Sequence, residues 1–166
     1  MWRIPSAIVV LLTSAPLVAR PIPEQGLSTQ MLTTVKRLYA SFLPGSIRPY
    51  SDIKQAATPS LQRVLDKEMQ VSTAIEGMAC IDYDLTGLTD DQEETASLIR
   101  SSIRITPQPQ GLVRVSFVQR KNQGPTVVYY KMACSSRGCL VDDISYSTPN
   151  NSLKREVVTC LRRYGR

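Results

Sequence analysis

The chain has 166 residues, with 20 Lys and Arg against 14 Asp and Glu, four cysteines and no histidine, for a formal charge of +6. That length suits one compact domain with a real core and argues against a second. The charge is modest, and the two phenylalanines and one tryptophan, the latter inside the N-terminal leader, are too few for the basic, aromatic-laced stripe of a nucleic-acid binder.

The chain opens "MWRIPSAIVVLLTSAPLVARPIP", with a basic lead at Arg3, an apolar run from Ala7 to Ala19 and then small and Pro-rich residues. This is the layout of a secretory signal peptide, so residues 1–19 are expected to be removed after Ala19, leaving 20–166 as a single α+β domain. The apolar run is too short to span a bilayer and is interrupted by Thr13, Ser14 and Pro16. No cysteine follows it to carry a lipid, so no stable membrane anchor is expected after cleavage, and the location is read as periplasmic or secreted. An even number of cysteines in an exported chain implies two disulfides, with three connectivities possible. "CSSRGC" sets Cys134 and Cys139 across a tight hairpin turn and favours that pair, which leaves Cys80 with Cys160. Without histidine or a cysteine pair separated by two residues, zinc ligation by these thiols is not expected.

Next, Met31, Val35, Leu38, Tyr39 and Phe42 recur on one side of a helix, with Ser28 as its N-cap and Pro44–Gly45 as its stop. A short helix is expected in "YSDIKQAA". In "TPSLQRVLDKEM", Thr58 is the cap, Pro59 the first helical residue, and Leu61, Val64, Leu65 and Met69 the apolar face. The period then falls to two. Ile99, Ile103 and Ile105 alternate with Arg100, Ser102 and Arg104; Val113, Val115 and Phe117 alternate with Arg114 and Ser116; "PTVVYYKMAC" and "CLVDDISYS" follow, joined by tight turns. These predict an antiparallel meander of about four strands. A last helix from about Ser152 carries Leu153, Val157, Cys160, Leu161 and Tyr164 on its apolar face. The fold class is therefore α+β, N-terminal helices packed on a curved antiparallel sheet with a C-terminal helix.

The order of "RLYASFL", "PSLQRVLDKE", "DYDLTGLTDDQE", three or four strands ending in "GCLVDDISY", and a closing "SLKREV" resembles an uncharacterised bacterial family of periplasmic proteins and lipoproteins. That family has the cone-shaped, cystatin-like fold of nuclear-transport-factor-two-like proteins. The chain departs from it in lacking a lipobox cysteine and in carrying Leu140 where an aromatic is common. The resemblance implies an accessory or interaction role and names no substrate.

Three groups of residues are candidate sites. Strict alternation in "CLVDDISY" puts Leu140, Asp142, Ile144 and Tyr146 on the more apolar face, so Asp142 is expected to face the interior or the cone mouth, with Tyr146 beside it as a pocket residue. A buried acid must find donors or take up a proton; the leading reading is a structural Asp142 bonded to backbone or to the first helix, ahead of ligand binding and then of catalysis. A second acid or a lysine converging on Asp142 would favour catalysis. Asp82, Asp84, Thr86, Leu88, Asp90 and Glu93 fall at the ligand positions of an EF-hand-type calcium loop, with Gly87 at the turn, although Thr86, Thr89 and Glu94 depart from the pattern. The alternative there is a solvated connecting loop. Arg100, Arg104, Arg114 and Arg120 form a basic patch on the outer face of the sheet, either a plain solvated face or a docking surface for an acidic partner.

No nucleophile elbow, phosphate-binding glycine loop or zinc motif is present, and the absence of histidine removes the commonest general base. The expectation is a non-enzymatic exported binding protein that contacts another envelope protein, an immunity-type inhibitor of a toxin being one concrete form. The alternative is a small-ligand or calcium-binding protein that uses the cone pocket or the 82–93 loop.

Overall fold

The computed structural model describes residues 24–40, 49–87 and 93–164. In chain order these form α1 (Glu24–Ala40), α2 (Pro49–Ala56), α3 (Pro59–Ala74), α4 (Glu93–Ser102), β1 (Arg104–Gln108), β2 (Leu112–Phe117), β3 (Thr126–Ser135), β4 (Gly138–Tyr146) and α5 (Leu153–Leu161). The four strands make one antiparallel sheet in the order β1-β2-β3-β4, the meander that the alternating pattern implies. The candidate signal peptide lies outside the described residues. Among those that are described, no helix is long and apolar enough to cross a membrane.

One face of the sheet is spent on the core. Val113, Val115 and Phe117 of β2, Val128, Tyr130 and Met132 of β3, and Val141 and Ile144 of β4 are all buried. Their register partners share that face: Val113 opposes Tyr130, Val115 opposes Val128, and Tyr130 opposes Ile144. Helix α1 lies across this inner face, touching all four strands, and contributes Met31, Val35, Leu38 and Tyr39. Each large aliphatic or aromatic side chain fully removed from water here contributes about 1.5–3 kcal/mol. α3 adds Leu61 and Leu65, and α5 adds Leu153 and Val157.

Local chemistry explains where the later helices begin. Thr58 caps α3, its hydroxyl accepting from Leu61 N, and Pro59 fills the first helical position, where no amide donor is needed. Ser152 caps α5 in the same way through Arg155 N. Ala57, just before α3, forms a parallel bridge with Val141, and Thr58 N donates to Val141 O at 2.8 Å, so the β4 edge of the sheet is partly closed.

Both disulfides have the expected partners. Cys134 and Cys139 are direct cross-strand neighbours in the β3–β4 hairpin, with Cα atoms 4.0 Å apart. Cys80 and Cys160, Cα atoms 5.9 Å apart, tie the segment after α3 to α5 across a sequence separation of 80. Two disulfides point to an oxidising, extracytoplasmic environment.

Several local expectations are corrected. Residues 99–102 are helical: Ile99 and Ile103, four apart, fit a helix face as well as alternate strand positions, and Ser102 Oγ closes α4 by bonding Leu98 O. The strand therefore begins only at Arg104. α1 starts at Glu24, which places Ser28 inside the helix and not at its cap; Phe42, Pro44 and Gly45 lie outside the described residues. On α3 it is Glu68, 4 % exposed, that turns inward, while Met69 is left exposed. Glu68 is satisfied by Ser72 Oγ at 2.8 Å and Cys80 N at 3.4 Å. Tyr164 lies beyond α5, exposed, with its hydroxyl donating to Ala79 O.

Candidate functional site

Strict alternation fails in β4. Lys131 opposes Asp143 while Met132 opposes Val141, so Asp142 is an extra residue, a β-bulge. The expected grouping of Leu140, Asp142, Ile144 and Tyr146 on one face is thereby broken: Val141 and Ile144 both face the core, and Leu140 is exposed. Asp142 does not face the interior. Its Oδ1 accepts from Thr58 Oγ1 at 3.0 Å and its Oδ2 from Lys154 Nζ at 3.0 Å, on a half-buried edge. Burial alone would raise its pKa, but the hydrogen bonds from Lys154 and Thr58, helped by the Lys154 and Lys131 charges, hold the carboxyl below its ordinary value. A lysine does converge on Asp142, and the pair is a salt bridge that also braces the α3 cap.

Asp143 is the buried acid. Its register places it on the outer face, where the start of α5 covers it. It accepts from Ser152 Oγ at 2.5 Å, Ile144 N at 2.9 Å and Lys154 N at 3.1 Å, and so holds the first turn of α5 against β4. Together the two aspartates dock the beginnings of two helices on one strand.

Tyr146, paired with Asp142 as a pocket residue by the sequence, belongs to a different neighbourhood. Its hydroxyl donates to Leu85 O at 2.8 Å, and its ring meets Tyr83 edge to face at 5.1 Å. Tyr39 donates to Thr86 O at 2.9 Å. Because a carbonyl can only accept, the 2.9 Å contact between Tyr39 and Tyr130 must be donated by Tyr130. Burial pushes the hydroxyls of Tyr39, Tyr130 and Tyr146 well above the ordinary phenol range, so all three remain donors. These tyrosines pull residues 84–87 over the inner face of the sheet, burying Leu85 and Thr86.

Gly87 makes that approach possible. Its φ is +73°, and a Cβ there would lie 2.9 Å from Val128 Cγ2. The glycine at the calcium-loop turn position thus serves close packing against the sheet. Asp84 Oδ1 accepts from both Thr86 N and Thr86 Oγ1 at 2.6 Å, a local turn. Asp82 instead lines a surface hollow of about 640 Å³ with Tyr146, Glu156 and Cys160. Glu93 begins α4, and Leu88 and Asp90 lie outside the described residues. Among the described residues no three acids or cysteines stand close enough to hold a metal ion.

The basic residues divide. Arg100 sits in the last turn of α4, off the sheet, and Arg120 in the turn after β2. Arg104 and Arg114 do share the outer face: Arg104 opposes Ser116 and Arg114 opposes Thr106. Arg114 Nη1 donates to Ser116 Oγ at 3.1 Å, while Arg104 Nη1 donates to Ile103 O at 2.9 Å and Ser101 O at 3.4 Å, so the two guanidinium groups have separate partners. Tyr129 and Lys131 of β3 continue this face, Tyr129 directly opposite Arg114. Neither β1 nor β3 touches any described helix other than α1, which lies on the inner side, so their outer side has no helix over it. Tyr129 and Lys131 were legible in the alternation of "PTVVYYKMAC" but were not singled out, since one tyrosine and one lysine on a strand carry no motif.

No family model matches the chain, and no curated protein matches it. Among solved structures, it is similar to a protein of unknown function from Bacteroides thetaiotaomicron, at 18% identity over 74% of this chain and 90% of that one, with a TM-score of 0.47.

Proposed function

We propose that this chain is an exported, non-enzymatic binding protein that contacts another envelope protein through the outer face of β1–β3. The observation that carries the reading is that Arg104, Arg114 and Lys131 share the outer face of β1–β3, where β1 and β3 have no described helix over them, with Tyr129 directly opposite Arg114. Like charges that share one strand face favour a partner that presents carboxylates there, and an aromatic beside them supplies the apolar anchor of such an interface. Leu85 and Thr86, held by Tyr146 and Tyr39, occupy part of the inner face, where a small substrate would enter a cone-shaped protein of the nuclear-transport-factor-two-like kind, which supports the partner reading over a small-substrate one. Asp142, held ionised by Lys154 and Thr58, is a poor proton acceptor. An immunity-type inhibitor, which blocks an exported toxin by stoichiometric contact, is a concrete form of this role.

The test is crosslinked affinity capture of the tagged protein from its own envelope extract, run beside the Arg104→Glu/Arg114→Glu double variant. The reading expects one protein retained in stoichiometric amount by the wild type and lost with the variant. Equal retention by both, or no stoichiometric protein in either, overturns it.

A further inference from the structure

Helices α3 and α5 pack against each other, and on their solvent side they leave a groove of about 520 Å³. Its floor is Val64 of α3 with Val158 and Leu161 of α5, and Val158 is 40 % exposed. Its rim is Arg63 and Lys67 on the α3 side and Arg162 on the α5 side. Val158, Leu161 and Arg162 stand at i, i+3 and i+4, as do Val64 and Lys67 at i and i+3, so each helix presents a continuous stripe to the groove. No acid lines it. Arg63 spends its Nε on Pro59 O, and none of the three rim cations has an ion-pair partner among the described residues.

We propose that this groove docks an acidic amphipathic helix of a partner protein. An apolar floor between two cationic walls is complementary to a helix with aliphatic residues at three- and four-residue spacing on one side and carboxylates on both flanks. Helices α3 and α5 touch and both line the depression, which admits apolar side chains projecting from one side of a rod about 10 Å across. A second copy of this chain is disfavoured as the occupant, because a net charge of +6 repels itself. Unlike the sheet face, this surface offers apolar contact and charge in one depression, and the proposal stands apart from the sheet-face reading.

The probe is a synthetic helical peptide with leucines on one face and glutamates elsewhere, followed by fluorescence anisotropy against the intact, disulfide-bonded protein. Controls are a peptide of the same composition with the leucines scattered and one with lysine in place of glutamate. The wild type is expected to bind the amphipathic acidic peptide saturably and the controls at least about tenfold more weakly. Val158→Asp and Arg63→Glu/Arg162→Glu are expected each to weaken binding about tenfold or more, while Arg104→Glu/Arg114→Glu leaves it unchanged, which separates failure here from failure of the sheet-face reading. Should Val158→Asp disturb the fold by circular dichroism, the surface charge reversal carries the test alone. No binding at about millimolar peptide, equal binding of the scattered peptide, or undiminished binding by the groove variants overturns the proposal. So does groove-dependent binding to phosphatidylglycerol vesicles in preference to the peptide.

Discussion

Asp142 and Asp143 are adjacent, chemically identical and unequal in what they hold. Asp143→Ala removes an acceptor from Ser152 Oγ, Ile144 N and Lys154 N at a residue that is 8 % exposed. Losing an acceptor at the start of a helix costs about 1 kcal/mol. Leaving buried amide donors without a partner adds about 1–3 kcal/mol. A total of about 2–4 kcal/mol is therefore expected, with Asp143→Asn falling between, since its remaining oxygen still accepts. Asp142→Ala breaks a half-exposed ion pair and one hydroxyl contact, expected to cost about 1 kcal/mol. Urea denaturation followed by far-ultraviolet circular dichroism, with disulfides intact, gives both values, and equal m-values license the comparison of midpoints. If Asp142→Ala costs as much as Asp143→Ala, the assignment of Asp143 as the acid that docks α5 is wrong.

Four further outcomes are expected. Because the Asp142 carboxyl is held below its ordinary 3.8, its contribution is complete above that pH and disappears as pH falls through the lower folded value. The wild type should thus lose a small increment below about pH 4 that Asp142→Asn does not, read as converging urea midpoints. Gly87→Ala must put a Cβ at positive φ and 2.9 Å from Val128 Cγ2, so a loss of about 2 kcal/mol or more is expected by thermal melting; a neutral effect would mean that residues 84–87 do not pack as described. Replacing Cys80 and Cys160 by serine opens a sequence separation of 80 and should cost about 4 kcal/mol, against about 2 kcal/mol for Cys134 and Cys139, separated by 5; the reverse order in denaturant midpoints would contradict the chain-entropy account. Millimolar calcium should leave the melting temperature unchanged, because Asp84 is engaged by Thr86 and Asp82 lines a different hollow; a calcium-dependent rise would restore the 82–93 loop as a metal site.

What could be read in advance was whatever depends on short-range chemistry. Thr58 before Pro59 marks a helix start because both residues favour that geometry, and the six residues from Cys134 to Cys139 fit a hairpin because the disulfide demands it. The alternation in β2 and β3 was plain because one face is wholly apolar. α4 was misread because Ile99 and Ile103, four apart, satisfy two periods at once, and only the tertiary burial of Ile99 decides between them. The bulge at Asp142 left no trace in the pattern: a bulge is one residue too many relative to a partner strand, and a single strand cannot reveal its partner's count. The inward turn of Glu68 depends on Ser72 and on an amide twelve residues away, which no local pattern contains. The buried tyrosines did carry a signal, since a phenol on a core face must find an acceptor. The acceptors of Tyr39 and Tyr146 are carbonyls of a loop whose path the sequence does not display, and that of Tyr130 is the Tyr39 hydroxyl.

The bulge also separates two jobs that a regular strand would have to share. A chain shortened by residue 142 could zip β4 to β3 as an uninterrupted ladder, with Val141 and Ile144 still pointing into the core. Such a chain would keep its sheet and lose the clasp by which Thr58 and Lys154 meet on one carboxylate. The start of α3 would then be held to β4 by the Ala57–Val141 bridge and Thr58 N, and the start of α5 by Asp143, so both should exchange their amide protons sooner than in the intact chain. The supernumerary aspartate acts as a latch between the two helix starts.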